Sequence, residues 1–544
     1  VTDSKEDAHI LPDDRVSQPF KALQKLNPLA QRSRPIEYVR RNRYDLIFAL
    51  LVIVAFAWRL IPLLERGAPT GADWANDLVV GHSFLGNTVG NQGITYPPLI
   101  PLVLALLNTI IPISILTSFI AATAAVLPYV GVYLALRSFG PELAWVIAPL
   151  PLLIASSTSE MMAFGGAPQL IASACMPIVM VSAALLFDQP TKRRAIAFGV
   201  SLFLLAATSH LVLGQAFVAL AFLLIIETAS DIKHFLGKVR RSAKYFALGL
   251  LPLVLLVPIY VSLIPQLGLS QTIGAKGALS PLARLQFLTR EDRPFWYICL
   301  FASMLVAYFA VSQRHTRLGL YVRAALSTLI TALLFLLFTS DIRFSYLLPT
   351  AICFSLALVA YFVTHQPASL WVHRINALIT VAFLGSVALQ FASASTLLTQ
   401  QINFYGSLTV SSLDLRALNY IKSDTSPKSL FAVTSVTQGN NPVGWWVEGY
   451  SERPALVQGS DSFLFYASQK KDSRIATDIF RSFPSATAFK VARSFKVNYL
   501  VVFRKWAQYN AVATEYFAHS HPSLVVFSNA DILIVKVPHG PSTR

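Results

Sequence analysis

The chain has 544 residues, of which 54% are hydrophobic and 13% charged. Soluble globular domains carry roughly 25% charged residues, so the composition excludes that class and indicates an integral membrane protein. The formal net charge of +17 is explained by basic loops facing an anionic lipid surface, and with no basic stripe interleaved with exposed aromatics nucleic-acid binding is not expected.

Residues 1–43 are polar and mixed in charge and end in the cationic flank Arg40-Arg41-Asn42-Arg43. They do not form a cleavable signal, and the apolar run 44–64 that follows is expected to stay as an anchor. The positive-inside rule then puts the N-terminus in the cytoplasm and the loop 65–113 outside. Further apolar runs lie at 98–111, 114–136, 142–157, 168–187, 195–209, 211–227, 245–264, 294–311, 320–338, 345–363 and 375–395. A helix needs roughly 20 apolar residues to span hydrocarbon. If the short, Pro-Pro-led run 98–111 lies in the interface or re-enters, the basic loops at Arg137, Lys192-Arg193-Arg194, 233–244, Arg314 to Arg323 and His373-Arg374 all fall inside. This predicts a membrane all-α bundle of about eleven transmembrane helices, with the chain after about residue 400 outside. Cys175, Cys299 and Cys353 lie within apolar runs, so no disulfide framework or Cys-rich metal site follows.

Polar composition returns after residue 397. Short β-branched or aromatic runs at 430–435, 499–503, 524–527 and 531–537 read as strands, and 413–422, 474–483 and 486–495 read as helices. The last two strands flank Ser528-Asn529-Ala530 and are expected to form a hairpin, although the Asn-Gly signal is missing. The domains are therefore a cytoplasmic basic segment (1–43), a polytopic domain (44–397) with outer loops 65–113, 156–169 and 265–293, and a small exoplasmic α/β domain (398–544).

The varied polar chemistry gathers on the outer side. Asp73 and Asp77, four apart, share a face if their segment is helical, and such carboxylates can take a proton or hold a cation. Glu160 lies in Ser-Ser-Thr-Ser-Glu before Gly165-Gly166, where the backbone can approach a neighbour closely. Tyr96 opens the extended Tyr-Pro-Pro step, and His210 sits in a tight outer turn that presses it toward the bundle. Arg343, with Arg290 and Arg293 next, offers planar forks suited to phosphate oxygens. In the tail, Trp445, Trp446, Glu448 and Arg453 form a patch able to stack on and hydrogen-bond a sugar or peptide.

In order and sidedness these features resemble the GT-C superfamily, integral membrane glycosyltransferases that use polyprenyl-phosphate-linked sugars. The Gly-Trp-Trp-Val-Glu-Gly-Tyr patch is similar to the Trp-Trp-Asp-Tyr-Gly motif of the oligosaccharyltransferase catalytic subunit, with Val447-Glu448 in place of Asp-Tyr. The resemblance implies that Asp73 is the first-loop acid, acting as base or metal ligand. Glu160 corresponds to the second-loop acid, without the paired Asp-X-Asp, and Arg343 to the late arginine on the lipid phosphate.

The expected function is transfer of a sugar from a polyprenyl-phosphate-linked donor to a glycan, lipid or protein acceptor on the outer face of the plasma membrane. The catalytic residues would be Asp73, Asp77 and Glu160. Substrate would be bound by Arg343, Arg290, Arg293, His210, Tyr96, Trp445, Trp446, Glu448 and Arg453. A divalent cation, Mg or Mn, would sit on Asp73 and Glu160 if one is used. Membrane lipids are expected partners. The alternative is a non-catalytic GT-C-like scaffold whose outer domain binds a partner within a larger membrane complex.

Overall fold

The computed structural model describes residues 42–71, 73–87, 96–230, 232–263, 280–290, 293–314, 316–339, 342–365, 370–434, 444–459, 464, 467–504 and 522–538. Among them, nine helices are long and apolar enough to cross a membrane, or ten if one bent pair counts as a span. The difference from the eleven expected spans lies in two runs. Run 195–209 becomes the helix Lys192–Thr208, which at 17 residues falls just short. Run 142–157 breaks, with Ala144–Leu153 and Ser156–Phe164 bent by 54°. Run 98–111, expected to lie in the interface or re-enter, is the helix Leu99–Leu107, nine residues with a rise of about 14 Å, too short to cross.

The membrane elements that matter below are α1 (Arg43–Glu65), α2 (Asp73–Phe84), α3 (Leu99–Leu107), α4 (Ile113–Arg137), α5 (Ser156–Phe164), α6 (Ala167–Asp188), α7 (Lys192–Thr208), α8 (His210–Ser230), α9 (Ile232–Leu250), α10 (Pro281–Leu288), α11 (Arg293–Met304), α12 (Arg317–Phe338), α13 (Leu347–His365) and α14 (Leu370–Ser407). α4 and α6 pack closely at Gly131, where a Cβ would lie 2.0 Å from the Ala174 carbonyl oxygen, so a small residue lets two backbones approach in apolar surroundings. Buried hydroxyls inside α12 answer to their own helix, Ser327 donating to the Arg323 carbonyl and Thr331 to that of Ser327, so none is stranded in the apolar interior.

α14 is 38 residues long and runs without a break through position 397, carrying the chain out of the apolar run and into the tail. There Arg66 donates to the carbonyls of Gly406 and Val410, fastening the segment after α1 to the end of α14.

The tail begins with α15 (Ser412–Asp424), whose capping box pairs the Ser411 side chain with the Asp414 backbone and the Asp414 side chain with the Ser411 backbone. It continues as β1 (Phe431–Val433), α16 (Trp445–Gly449), β2 (Ala455–Val457), α17 (Ala467–Ser482), α18 (Ala486–Ser494), β3 (Tyr499–Phe503), β4 (Val525–Ser528) and β5 (Ile532–Lys536). The sheet order is β2-β1-β3-β5-β4, parallel across its first three strands and antiparallel at β3-β5-β4. One face buries Ala432, Leu456, Leu500, Val502, Leu533 and Val535 against α17 and α18. The expected hairpin forms without Asn-Gly because the Asn529 side chain accepts from the backbone N–H groups of Asp531 and Ile532, closing the turn itself. β2 and α16 carry no period long enough to read in the sequence.

Candidate functional site

Asp73 is the first residue of α2 and is half-buried. Its position follows from two glycines. A Cβ on Gly71 would lie 2.0 Å from the Phe164 carbonyl oxygen, so only glycine lets the two segments cross here. Gly165, at φ +103°, ends α5 in the left-handed region and presents its backbone to Asp73 and Trp74. The crossing brings the α5 segment, with Glu160, beside Asp73.

Glu160 is buried and both of its oxygens are engaged. Arg290 donates to Oε2 at 3.0 Å and the Tyr405 hydroxyl donates to Oε1. Tyr405 also lies within electrostatic reach of Asp73. The reach of α14 brings Tyr405 there, and one turn earlier Gln401 donates to the Ser156 carbonyl at 3.2 Å. Neither Tyr405 nor Gln401 figured among the expected site residues. Their i, i+4 spacing just beyond an apolar run was the available signal.

Arg343 stands exposed in the turn Ile342–Tyr346, and its charge acts on both Asp73 and His210. The turn is held by Gln215, which donates to the Phe344 carbonyl at 2.7 Å, and by Phe344 stacking on Phe335. Tyr96 meets His210 edge-on, ring centroids 5.8 Å apart. The structure thus gathers Asp73, Glu160, Arg290, Tyr405, Arg343, His210 and Tyr96 at one end of the bundle. Arg293 is exposed at the start of α11.

The two aspartates are not equivalent. Burial, opposed by the Arg343 charge, pushes the Asp73 carboxyl up to about 6. Asp77 is buried, with Oδ2 lacking a hydrogen-bond partner among the described residues. Burial first and the neighbouring Asp73 charge second push it well above the usual carboxylate range. Asp73 is therefore the member of the pair that can exchange a proton near neutrality. Asp77 is suited to stay neutral.

The tryptophan patch is placed differently from the expectation of an exposed stacking surface. Trp445, Trp446, Glu448 and Arg453 are all buried. Trp446 Nε1 donates to Thr409, and Glu448 accepts from the Ala455 N–H. Arg453 donates to the carbonyls of Lys422, Thr425 and Ser451, closing the end of α15. A Cβ on Gly449 would meet the Ala75 carbonyl at 2.6 Å, and His82 Nε2 donates to the Gly449 carbonyl at 3.1 Å. The patch is a joint that seats the tail on α2. The physical reason is area: two indoles side by side hide more apolar surface at such a joint than a short loop could leave in water.

Each Glu160 oxygen accepts one hydrogen bond, and among the described residues no group of three His, Cys, Asp or Glu side chains is placed to share a metal ion. Arg290→Ala would strand the Glu160 charge, and we expect it to destabilise the protein by about 1–3 kcal/mol in thermal unfolding. The double variant Arg290→Ala/Glu160→Gln should recover most of that loss, because no buried charge is then left unpaired.

No family model and no curated protein matches the sequence. Solved structures do. ArnT from Cupriavidus metallidurans in the apo state superposes with a TM-score of 0.57 at 14% identity, over 91% of this chain and 99% of that one. The same enzyme bound to undecaprenyl phosphate gives 0.54 at 12%, over 92% and 100%. The oligosaccharyltransferase AglB from Archaeoglobus fulgidus, in complex with an inhibitory peptide and a dolichol-phosphate, gives 0.55 at 14%, over 88% and 71%. At such identities the likeness is one of fold: this chain shares with these structures a helical membrane bundle followed by a small sheet-bearing domain.

Proposed function

We propose that the chain is a glycosyltransferase that takes a sugar from a polyprenyl-phosphate-linked donor and passes it to an acceptor on the outer face of the membrane. The observation that carries this reading is that Asp73 lies within electrostatic reach of Arg343 at one end of the bundle, next to the Glu160–Arg290–Tyr405 cluster. A proton acceptor and an exposed guanidinium fork are the two groups an inverting transfer needs. The acceptor oxygen attacks the anomeric carbon and the bond from that carbon to the phosphate oxygen breaks. Its electrons remain on the phosphate, and the acceptor proton passes to Asp73. Arg343 faces the charge that grows on the departing phosphate, and His210 and Tyr96 line the approach to it. Undecaprenyl phosphate in ArnT and dolichol-phosphate with peptide in AglB are ligands of those structures, and the shared fold supports a lipid phosphate as the donor's anchor here.

The test is to titrate a polyprenyl phosphate into the protein in nanodiscs. Arg343→Ala should weaken its binding at least tenfold, since a charge-assisted contact is worth about 1.5–3 kcal/mol. Asp73→Asn should bind it as the parent does. Binding that ignores Arg343, or no binding together with stoichiometric co-purification of other membrane proteins, would replace this reading with the scaffold one.

A further inference from the structure

α6, α8 and α12 each have one end at the Asp73 site. α6 starts beyond Gly165, α8 starts at His210, and α12 runs out just before the Arg343 turn. With 21 or 22 residues apiece, their other ends lie about 32 Å away. At those far ends, roofed by the start of α7 and by α9, there is a cavity of about 430 Å³.

The cavity wall carries the guanidinium groups of Arg194, Arg314, Arg317 and Arg323 and the ammonium of Lys238. Among the described residues two carboxylates share that wall, and one of them is committed: Glu227 takes the buried Arg323 at 2.5 Å. Three guanidinium groups, those of Arg194, Arg314 and Arg317, are left with Asp188. Two of the three are held by acceptors that bring no net charge. Arg194 donates to the carbonyls of Leu185 and Gln189. Arg317 donates to the Ser138 carbonyl and lies over the Phe139 ring. These two are thus oriented without being neutralised, and like charges lining one cavity repel unless an anion sits among them. The volume falls in the range of small-molecule sites and exceeds what a bare halide would fill. Planar forks select tetrahedral oxyanions.

From this we infer that the chain has a second binding site, for a phosphate-bearing ligand, at the opposite end of the bundle from Asp73. The phosphate is either the headgroup of an anionic phospholipid or part of a soluble phosphate ester entering from the aqueous side. The inference does not depend on the transferase reading.

The full chain would be studied in two arms. In neutral phosphatidylcholine nanodiscs, inorganic pyrophosphate is titrated by calorimetry. After delipidation, retention of phosphatidylglycerol against phosphatidylcholine is read by native mass spectrometry. The variant Arg314→Ala/Arg317→Ala should weaken whichever probe binds by about thirtyfold, at roughly fivefold for each cation near a membrane surface. Arg314→Gln alone, at an exposed side chain, should weaken it about fivefold and covers the case in which the double variant fails to fold. Arg240→Ala/Arg241→Ala removes the same charge from exposed positions of α9 outside the cavity and should change little. Retention of the lipid alone identifies a headgroup site, and binding of pyrophosphate alone identifies a soluble ligand. Equal weakening in the control pair, or neither probe binding at millimolar concentration, overturns the inference.

Discussion

Asp73→Asn should abolish sugar transfer while making the protein more stable. The carboxyl sits at about 6 because its surroundings disfavour the charge, so at neutral pH the folded chain carries an ionised group that it holds at a cost. In the denatured chain the same group would ionise near 4. Its contribution to stability is therefore fully present below about pH 4 and is lost as pH rises through about 6. A neutral amide of the same shape removes that loss. With a discount for the carboxyl's partial exposure, the gain at pH 7 is about 1–2 kcal/mol. The rate should behave in the opposite sense. A base must be ionised to accept the acceptor proton, so kcat/KM of the parent should rise with pH through about 6 and level off above it. Asp77→Asn is the matched comparison: a buried group suited to stay neutral should lose little activity when it becomes an amide. If Asp73→Asn transfers sugar at the parent rate, with the same pH profile, the base is elsewhere.

Gly71→Ala should have a large effect for a single methyl group. The new Cβ would sit 2.0 Å from the Phe164 oxygen and 2.2 Å from its carbonyl carbon, both backbone atoms that cannot rotate away. One of the two segments has to move, at a cost of about 3 kcal/mol by comparison with overpacked interiors. The movement separates Asp73 from the Glu160–Tyr405 cluster, and a displacement of about 1 Å in a catalytic array costs on the order of 100-fold in rate. Gly140→Ala, where the added methyl meets nothing within 4 Å, controls for loss of glycine flexibility. Thermal unfolding and transfer assays on the two variants should diverge sharply. If they agree, the crossing does not position the acid.

Much of the fold could be read from the chain because it rests on long periodic signals. Apolar runs of membrane length announce helices, and the β-branched runs at 499–503 and 531–537 become β3 and β5 almost to the residue. Asp73 and Glu160 stood out because carboxylates are rare at a membrane edge. Tyr405 did not stand out, since its role depends on α14 continuing as a helix past the point where its composition turns polar. The tryptophan patch looked like a recognition surface for the converse reason: local composition shows that two indoles are present but not which of their faces is covered. The covering comes from α2, more than 360 positions earlier in the chain, through the His82–Gly449 contact. Contacts over such separations leave no local period.

The unbroken passage of α14 across position 397 bears on how this protein can be divided. A cut at that point would leave Tyr405 and Gln401 on the tail half, and Glu160 and Ser156 on the half still embedded in lipid. The excised tail would also uncover the surface around Gly449 that now meets α2 and would be prone to clump in water. Bundle and tail are thus two parts of a single working unit, and any attempt to borrow the tail as a free-standing reagent should begin upstream of α14.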